Sequence, residues 1–394
     1  MIEGKRDMRL PTIQVLRGIA ASLVAFYHFS GNFTMHSWLI ESGFSRIGAA
    51  GVDIFFVISG FIMVYTTRRK TGARDALTFI KRRALRIYPL YWFWTTVLLA
   101  LWGIGVLLQM YHGLSLKKYQ FSAFFIFSSF VLLPSYDGVA FRPLLAQGWT
   151  LSFEMFFYAA FSCAILMRLK KAKLVFLAAA FVVLSLCGRC LGAQNGLRHL
   201  FTDPIVLEFL YGVLAAEVLL RVPERRNRKI AQTLPLVLIG LGVVGLLSTA
   251  WTNPPLSLRY LFYGLPALLI VSGAAMFGSA PRPRFLVYIG DASYSIYLTH
   301  TFAATAFFLA LGRIAILGRI PPDAVILAGG LMAIAGCSLT YLLVERPITK
   351  FVSPKKAGFV DQTYRDQSPV PVDFHRFPTE DRISSYSKET KKYE

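Results

Sequence analysis

Ile13-Gln-Val-Leu-Arg17-Gly-Ile-Ala-Ala-Ser-Leu-Val-Ala-Phe-Tyr-His28-Phe-Ser-Gly-Asn-Phe33 is a mostly apolar run, long enough to cross a hydrocarbon core as a helix, that carries an arginine and a histidine. Eleven residues at ~100° each return to nearly the same face, so Arg17 and His28 lie on one side of that helix about 16 Å apart. An ionisable side chain in lipid costs roughly 3 kcal/mol or more, and such groups persist where they face a bundle interior or a water-filled cavity. The stretch therefore reads as one wall of a polar pore.

Composition points the same way. Of the 394 residues, 55% are hydrophobic and only 16% charged, too apolar a balance for an ordinary soluble domain. A formal charge of +21 could belong to a nucleic-acid binder, but the Lys and Arg residues stand in short blocks between apolar runs. That is the positive-inside pattern of a membrane protein, so lipids rather than nucleic acid are the expected surroundings.

The expected fold is all-α and polytopic, with about ten transmembrane helices near 13–33, 47–67, 88–111, 148–168, 173–192, 204–221, 233–251, 258–279, 292–311 and 324–345. With a cytoplasmic N-terminus, the inner segments gather Lys5/Arg6/Arg9, Arg68 to Arg86, Arg168 to Lys173, Arg221 to Lys229 and Arg346 to Lys356. Phe121 to Pro134 is apolar but short, and a span there would put two basic clusters on the wrong side; it reads as interfacial or re-entrant, on the outer face. The first helix is expected to stay uncleaved, since it holds Arg17 and His28 and lacks a small-residue cleavage site. Residues 1–350 form the membrane domain. Residues 351–394 are rich in Pro, Ser and charge and read as a disordered cytoplasmic tail.

Counting depth from the helix ends places His28, Asp53 of the second span and Glu154 of the fourth at one level, in the outer half of the membrane. A histidine with two carboxylates suits general-base work, because a carboxylate can orient the imidazole and stabilise its charged form. A second constellation lies at the inner face. Arg82 and Arg86, four apart on a helix ending in Ile87-Tyr88-Pro89, join Arg17 in a layer of guanidinium groups suited to phosphate.

These residues resemble the acyltransferase 3 family of membrane proteins. The resemblance rests on Arg17 and His28 with ten residues between them, Gly51-Val-Asp53-Ile-Phe-Phe-Val-Ile-Ser59-Gly60-Phe61, and Lys81-Arg82-Arg83-Ala-Leu-Arg86-Ile-Tyr88-Pro89. Trp149-Thr-Leu-Ser-Phe-Glu154, Ser293-Tyr294-Ser295-Ile-Tyr297-Leu-Thr-His300 and Glu345-Arg346-Pro347 complete it, in the right order over Ile13 to Pro347. The run from Ala50 to Met63 is most like that of bacterial exopolysaccharide O-acetyltransferases. The resemblance implies an inner-membrane enzyme that takes an acyl group, acetyl foremost, from cytoplasmic acyl-coenzyme A and places it on a sugar hydroxyl. It also implies His28 as the catalytic residue with Arg17 as its partner, and Arg82 and Arg86 as the basic motif. Family members often carry a second, esterase-like domain, so a separate partner from polysaccharide synthesis or a lipid-linked glycan is expected to deliver the acceptor here.

Direct transfer needs only the base, and a stepwise route through an acyl-enzyme stays open. Tyr294, Tyr297 and His300 share a helix face and are candidates for substrate contact. Asp291 and Glu345 are expected to pair with nearby arginines; His36, His112 and His199 are expected in solvated outer loops. Cys187 and Cys190 have redox spacing without a thioredoxin-like pattern, and Gly240-Leu-Gly242-Val-Val-Gly245 lies inside an apolar span rather than after a strand. No zinc-ligand cluster is visible. A transporter or flippase of a glycan precursor or acyl donor, or a non-catalytic assembly subunit, would also place polar groups across a membrane.

Overall fold

The computed structural model describes residues 10–33, 36–111, 121–136, 140–169, 172–192, 195–221, 228–278, 283–311 and 320–352. Its first half comprises α1 (Pro11–Ser30), α2 (Trp38–Glu41), α3 (Ala50–Thr67), α4 (Ala73–Tyr111), α5 (Ala123–Phe130), α6 (Gly148–Leu166), α7 (Lys173–Arg189) and α8 (Gly196–Thr202). The second half comprises α9 (Val206–Leu219), α10 (Arg228–Thr252), α11 (Leu265–Met276), α12 (Arg284–Asp291), α13 (Ser293–Leu311), α14 (Pro322–Thr340) and α15 (Arg346–Val352). One π turn, Tyr260–Gly264, precedes α11 and another, Tyr341–Glu345, follows α14. Among the described residues the only β contact is an isolated bridge between Tyr136 and Phe141.

All ten apolar runs of the sequence fall on helices, so the chain is all-α. Among the described residues six stretches are long and apolar enough to cross a membrane: Pro11–Ser30, Phe44–Thr67, Ala73–Val106, Gly148–Leu166, Gln232–Thr252 and Pro322–Val352. The other four runs are shorter or less apolar helices. The tail after Val352 lies outside the described residues.

Helix α1 is the hub, packed by α3, α12, α13 and α14. Its small residues Ala20, Ala21, Val24 and Ala25 are buried, and two glycines let neighbours approach closely. A Cβ on Gly18 would sit 2.8 Å from the Gly290 backbone, and one on Gly51 would sit 2.2 Å from the Ala20 carbonyl.

Helix α4 departs from the expected register. Ser162 Oγ donates to the Ala76 carbonyl (3.2 Å), a Cβ on Gly148 would meet the Tyr91 ring, and Tyr294 Oη donates to the Ile87 carbonyl (2.8 Å). Residues 76–91 therefore run antiparallel along the whole of α6. The third apolar helix begins far before residue 88, and Arg83 and Arg86 face a cavity inside the bundle. Hydropathy alone draws a span toward its most apolar half; an arginine-bearing half can cross when its guanidinium groups face a cavity and its stems cover apolar surface.

The short apolar run holds α5, which folds back along α4. Phe121 packs at a tilt against Trp102 (5.3 Å), and α5 then runs back along α4 until Tyr88 Oη, Tyr91 Oη and Trp92 Nε1 donate to the carbonyls of Val131 (3.1 Å), Ser129 (2.7 Å) and Phe130 (2.8 Å). A helix end inside a membrane must have its last carbonyls satisfied by protein, and these three side chains do that. Leu132 closes the helix in the left-handed conformation (φ 58°), with Leu133 N donating back to Ser128 O (2.9 Å).

Candidate active site

α1, α3, α4, α6 and α13 enclose a cavity into which Arg17, Arg83, Arg86, Glu154, Tyr158 and Tyr294 project. Arg17 and Arg86 occupy it as the sequence suggests; Arg82 does not line it, and Arg83 does. Residues three and four apart both share a helix face, so spacing alone could not choose between Arg82 and Arg83 as the partner of Arg86. The Arg83 guanidinium lies over Tyr158 (5.4 Å) and Phe79 (5.5 Å). Arg82 faces the loop before α4, where burial, and next the charges of Arg82 and Arg83, push the Lys70 ammonium down to about 8 against the opposing pull of Asp75.

The groups around the guanidinium layer hold it in place. Arg17 Nη1 donates to Gln14 Oε1 (3.2 Å), whose amide donates in turn to Asp291 Oδ1 (2.7 Å). Glu345, on the π turn after α14, accepts from Ser295 Oγ (2.6 Å) and lies within electrostatic reach of Arg86 and Arg17. Glu154 accepts a short hydrogen bond from Tyr158 and a weaker one from Ser59 Oγ (3.4 Å). Three guanidinium groups facing a void from two helices can take a bidentate anion such as a phosphate.

The structure does not bring His28, Asp53 and Glu154 together. Glu154 belongs to the arginine-lined cavity, one turn further along α6 than Thr150. Asp53 lies opposite the middle of α1, because Gly51 packs on Ala20, about 12 Å along the helix from His28. The depth count fails because it lets every helix start in one plane, whereas α3 starts at mid-bundle. Asp53 is fully buried and bound by Arg259, with Nη2 at 2.6 Å and Nε at 2.9 Å. Arg259 also donates to the Ala49 carbonyl (2.9 Å), and the buried Glu208 lies in electrostatic reach of both charges. Neither Arg259 nor Glu208 stood out in the sequence, where 206 positions separate Arg259 from Asp53.

His28 is exposed, and its ring neighbours are Tyr27 and His300 rather than a carboxylate. The His300 ring stacks on it at 5.1 Å, inclined by 23°. His300 is buried at 2% exposure. Its Nδ1 donates to the Tyr297 carbonyl (2.7 Å), which fixes the tautomer and leaves Nε2 without a partner. Tyr294 and Tyr297 both line the cavity, Tyr294 tied to the α4 backbone and Tyr297 to the start of α6.

Two histidines expected in loops have defined places. His36 is exposed and pairs with Glu41 (2.7 Å). His199 is half-buried on α8: it stacks on Phe141 (5.2 Å) and meets Phe153 edge-on, and burial lowers its pKa against the opposing pull of Asp203. His112 lies outside the described residues. Among the described residues no group of three His, Cys, Asp or Glu side chains could hold a metal ion.

Curated proteins from several bacteria are similar to this chain. The exopolysaccharide production protein ExoZ of Rhizobium meliloti is 34% identical over 314 residues, 77% of this chain and 90% of its own length. The O-acetyltransferase OatA of Staphylococcus aureus is 25% identical over 89% of this chain, which spans 60% of that protein. The acyltransferase MdmB of Streptomyces mycarofaciens is 24% identical over 75% of the chain and 79% of its own length. No solved structure matches. Residues 10–342 match the profile of an acyltransferase domain, and the chain belongs to the acyltransferase 3 family: it is a membrane-bound acyltransferase.

Proposed function

We propose that the protein moves an acetyl group from cytoplasmic acetyl-coenzyme A to a hydroxyl of an exported polysaccharide or of its lipid-linked precursor, at a bacterial inner membrane with both termini cytoplasmic. The observation that carries this reading is the cavity itself. Arg17, Arg83 and Arg86 line it, and at its far side Tyr297 is one helical turn from the stacked His28 and His300. Coenzyme A is an anionic nucleotide on a long flexible arm, and the ~16 Å between the Arg17 level and His28 is of the order of that arm's reach. The names of the relatives, an exopolysaccharide production protein and an O-acetyltransferase, supply the acyl group and the class of acceptor.

In this mechanism the arginines hold the phosphates and the thioester approaches His28. The imidazole takes the proton of the sugar hydroxyl as its oxygen attacks the thioester carbonyl. The C–S bond breaks, and the proton passes to the departing thiolate. Positioning supplies much of the rate, because two substrates entering from opposite ends meet in one geometry. Glu154 neutralises the guanidinium layer, and Tyr294 walls the donor arm. Asp53 leaves the catalytic set, its charge being taken by Arg259.

The test is acetyl transfer from radiolabelled acetyl-coenzyme A to polysaccharide in membranes carrying wild type or His28→Ala at equal insertion. A base contributes about 10²–10⁴-fold, so transfer should fall by that factor in the variant. Transfer equal to wild type would remove His28 from the chemistry. Label crossing the membrane without ester formation would favour a carrier.

A further inference from the structure

Tyr297 borders both the arginine-lined cavity and the paired imidazoles. Tyr297 lines the cavity; its ring centroid is 6.0 Å from that of His300, which stacks on His28. The ring is held against Phe55, edge to face at 6.0 Å. Its hydroxyl lies 2.7 Å from Thr150 Oγ1 and donates to the Gln147 carbonyl at 3.1 Å. Thr150 Oγ1 reaches the same carbonyl at 3.2 Å, and the Gln147 amide donates to Thr301 one turn further along α13. The first turn of α6 and the middle of α13 are thus stapled around this tyrosine. Each such hydrogen bond is worth only about 0.5–1.5 kcal/mol net, so the staple can open and reclose.

A thioester has two nucleophiles to fear or favour here, and the exposed side of His28 offers both. Water attacking the thioester carbonyl breaks the C–S bond, gives its proton to the imidazole and thence to the thiolate, and leaves a carboxylic acid and free coenzyme A. The sugar hydroxyl reacts by the same route to the ester. Nothing in the base distinguishes them; exclusion of water from the thioester does.

We infer that Tyr297, latched to Thr150 and Gln147, keeps the donor thioester apart from water at His28 and so sets the selectivity of the enzyme for a sugar hydroxyl over water. This rests on the donor-and-base reading above. A saccharide carries the hydroxyls that can take over the Gln147 carbonyl and the Thr150 hydroxyl, which would release the ring as the acceptor arrives. Tyr297 is on this view a specificity-determining residue, and the Thr150 and Gln147 groups position it.

The experiment uses the full chain in proteoliposomes with acetyl-coenzyme A, reading thiol release without acceptor and acetyl transfer with membrane-derived polysaccharide. Tyr297→Ala should raise acceptor-independent thiol release about fivefold or more, corresponding to roughly 1 kcal/mol of lost exclusion. Tyr297→Phe and Thr150→Val, which cut the latch but keep the packing, should raise it less. In all three the ratio of transferred acetyl to released thiol should fall below that of wild type. Adding His28→Ala to Tyr297→Ala should abolish the excess release. Should Tyr297→Ala fail to insert, Thr150→Val and Tyr297→Phe carry the test. Unchanged release with a wild-type ratio, or release and transfer falling together, would overturn the inference and leave Tyr297 a packing residue. A wild type that transfers no acetyl group would instead overturn the donor-and-base reading, and this inference with it.

Discussion

Asp53 with Arg259, and Arg17 with Arg83 and Arg86, are charges inside the helix bundle that are treated in opposite ways. Asp53 and Arg259 satisfy each other: the carboxylate is fully buried, the guanidinium makes two bonds to it and a third to the Ala49 carbonyl, and its cationic face lies 5.2 Å from Tyr263. Arg17, Arg83 and Arg86 face a void. Gln14 and Glu345 offset part of their charge, and all three side chains line the cavity wall. An ionisable residue in a span marks function by default; this pair of sites refines that rule. The functional charge is the one that lines a cavity, and the one locked in a buried ion pair is a brace.

The sharpest way to break the comparison is to remove one half of the brace. Asp53→Ala leaves Arg259 buried with its main partner gone, and orphaning one member of a buried ion pair costs about 3–5 kcal/mol. The expected outcome is a large loss of thermal stability in detergent together with reduced insertion, with activity lost only in proportion to folded protein. Asp53→Ala that folds as well as wild type yet transfers no acyl group would return Asp53 to the chemistry and erase the distinction.

The cavity side should respond the other way. A charge-assisted hydrogen bond is worth about 1.5–3 kcal/mol, so Arg86→Ala should raise KM for the acyl-coenzyme A donor roughly 10- to 150-fold at unchanged thermal stability. Arg83→Ala should act in the same direction by a smaller factor, since its guanidinium also spends contact on Tyr158 and Phe79. Dephospho-coenzyme A thioesters, with less anionic charge, should narrow the gap between wild type and these variants. A stability loss in Arg86→Ala as large as that of Asp53→Ala would mean that the cavity layer is a brace too.

How much of this was legible beforehand follows from what each feature depends on. The helices were readable because apolar run length is a local property, and the shortness of Phe121 to Pro134 set it apart from the longer runs. Arg17 and His28 were readable because one helix carries both, so their spacing is fixed by helical geometry. Depth across helices was not readable. Glu154 and Asp53 were placed by counting from assumed edges, and the packing of Gly51 on Ala20 and of residues 76–91 along α6 moved both. The Asp53–Arg259 pair joins residues whose proximity no local pattern encodes. His300 could be found as a motif residue, but its stacking on His28 needed α1 and α13 to run side by side.

The smallest expected effect is also the most discriminating. Arg82 and Arg83 are adjacent, carry the same charge and belong to the same basic block, so a model in which α4 merely adds positive charge near the donor treats them alike. Helical rotation does not: one residue turns the side chain by about 100°, which takes Arg82 off the cavity wall and onto the loop that carries Lys70. Arg82→Ala should therefore change the donor KM by less than about threefold, the scale of a screened charge at the edge of a site, while Arg83→Ala changes it by more. It should also let the Lys70 ammonium rise from about 8, because one of the charges depressing it has gone, although burial remains the larger cause. Titrating Lys70 by pH-dependent amine labelling in the two variants reads the rim, and the donor KM reads the cavity. Equal KM changes at Arg82 and Arg83 would mean that the layer acts through its summed field rather than through guanidinium groups aimed at an anion.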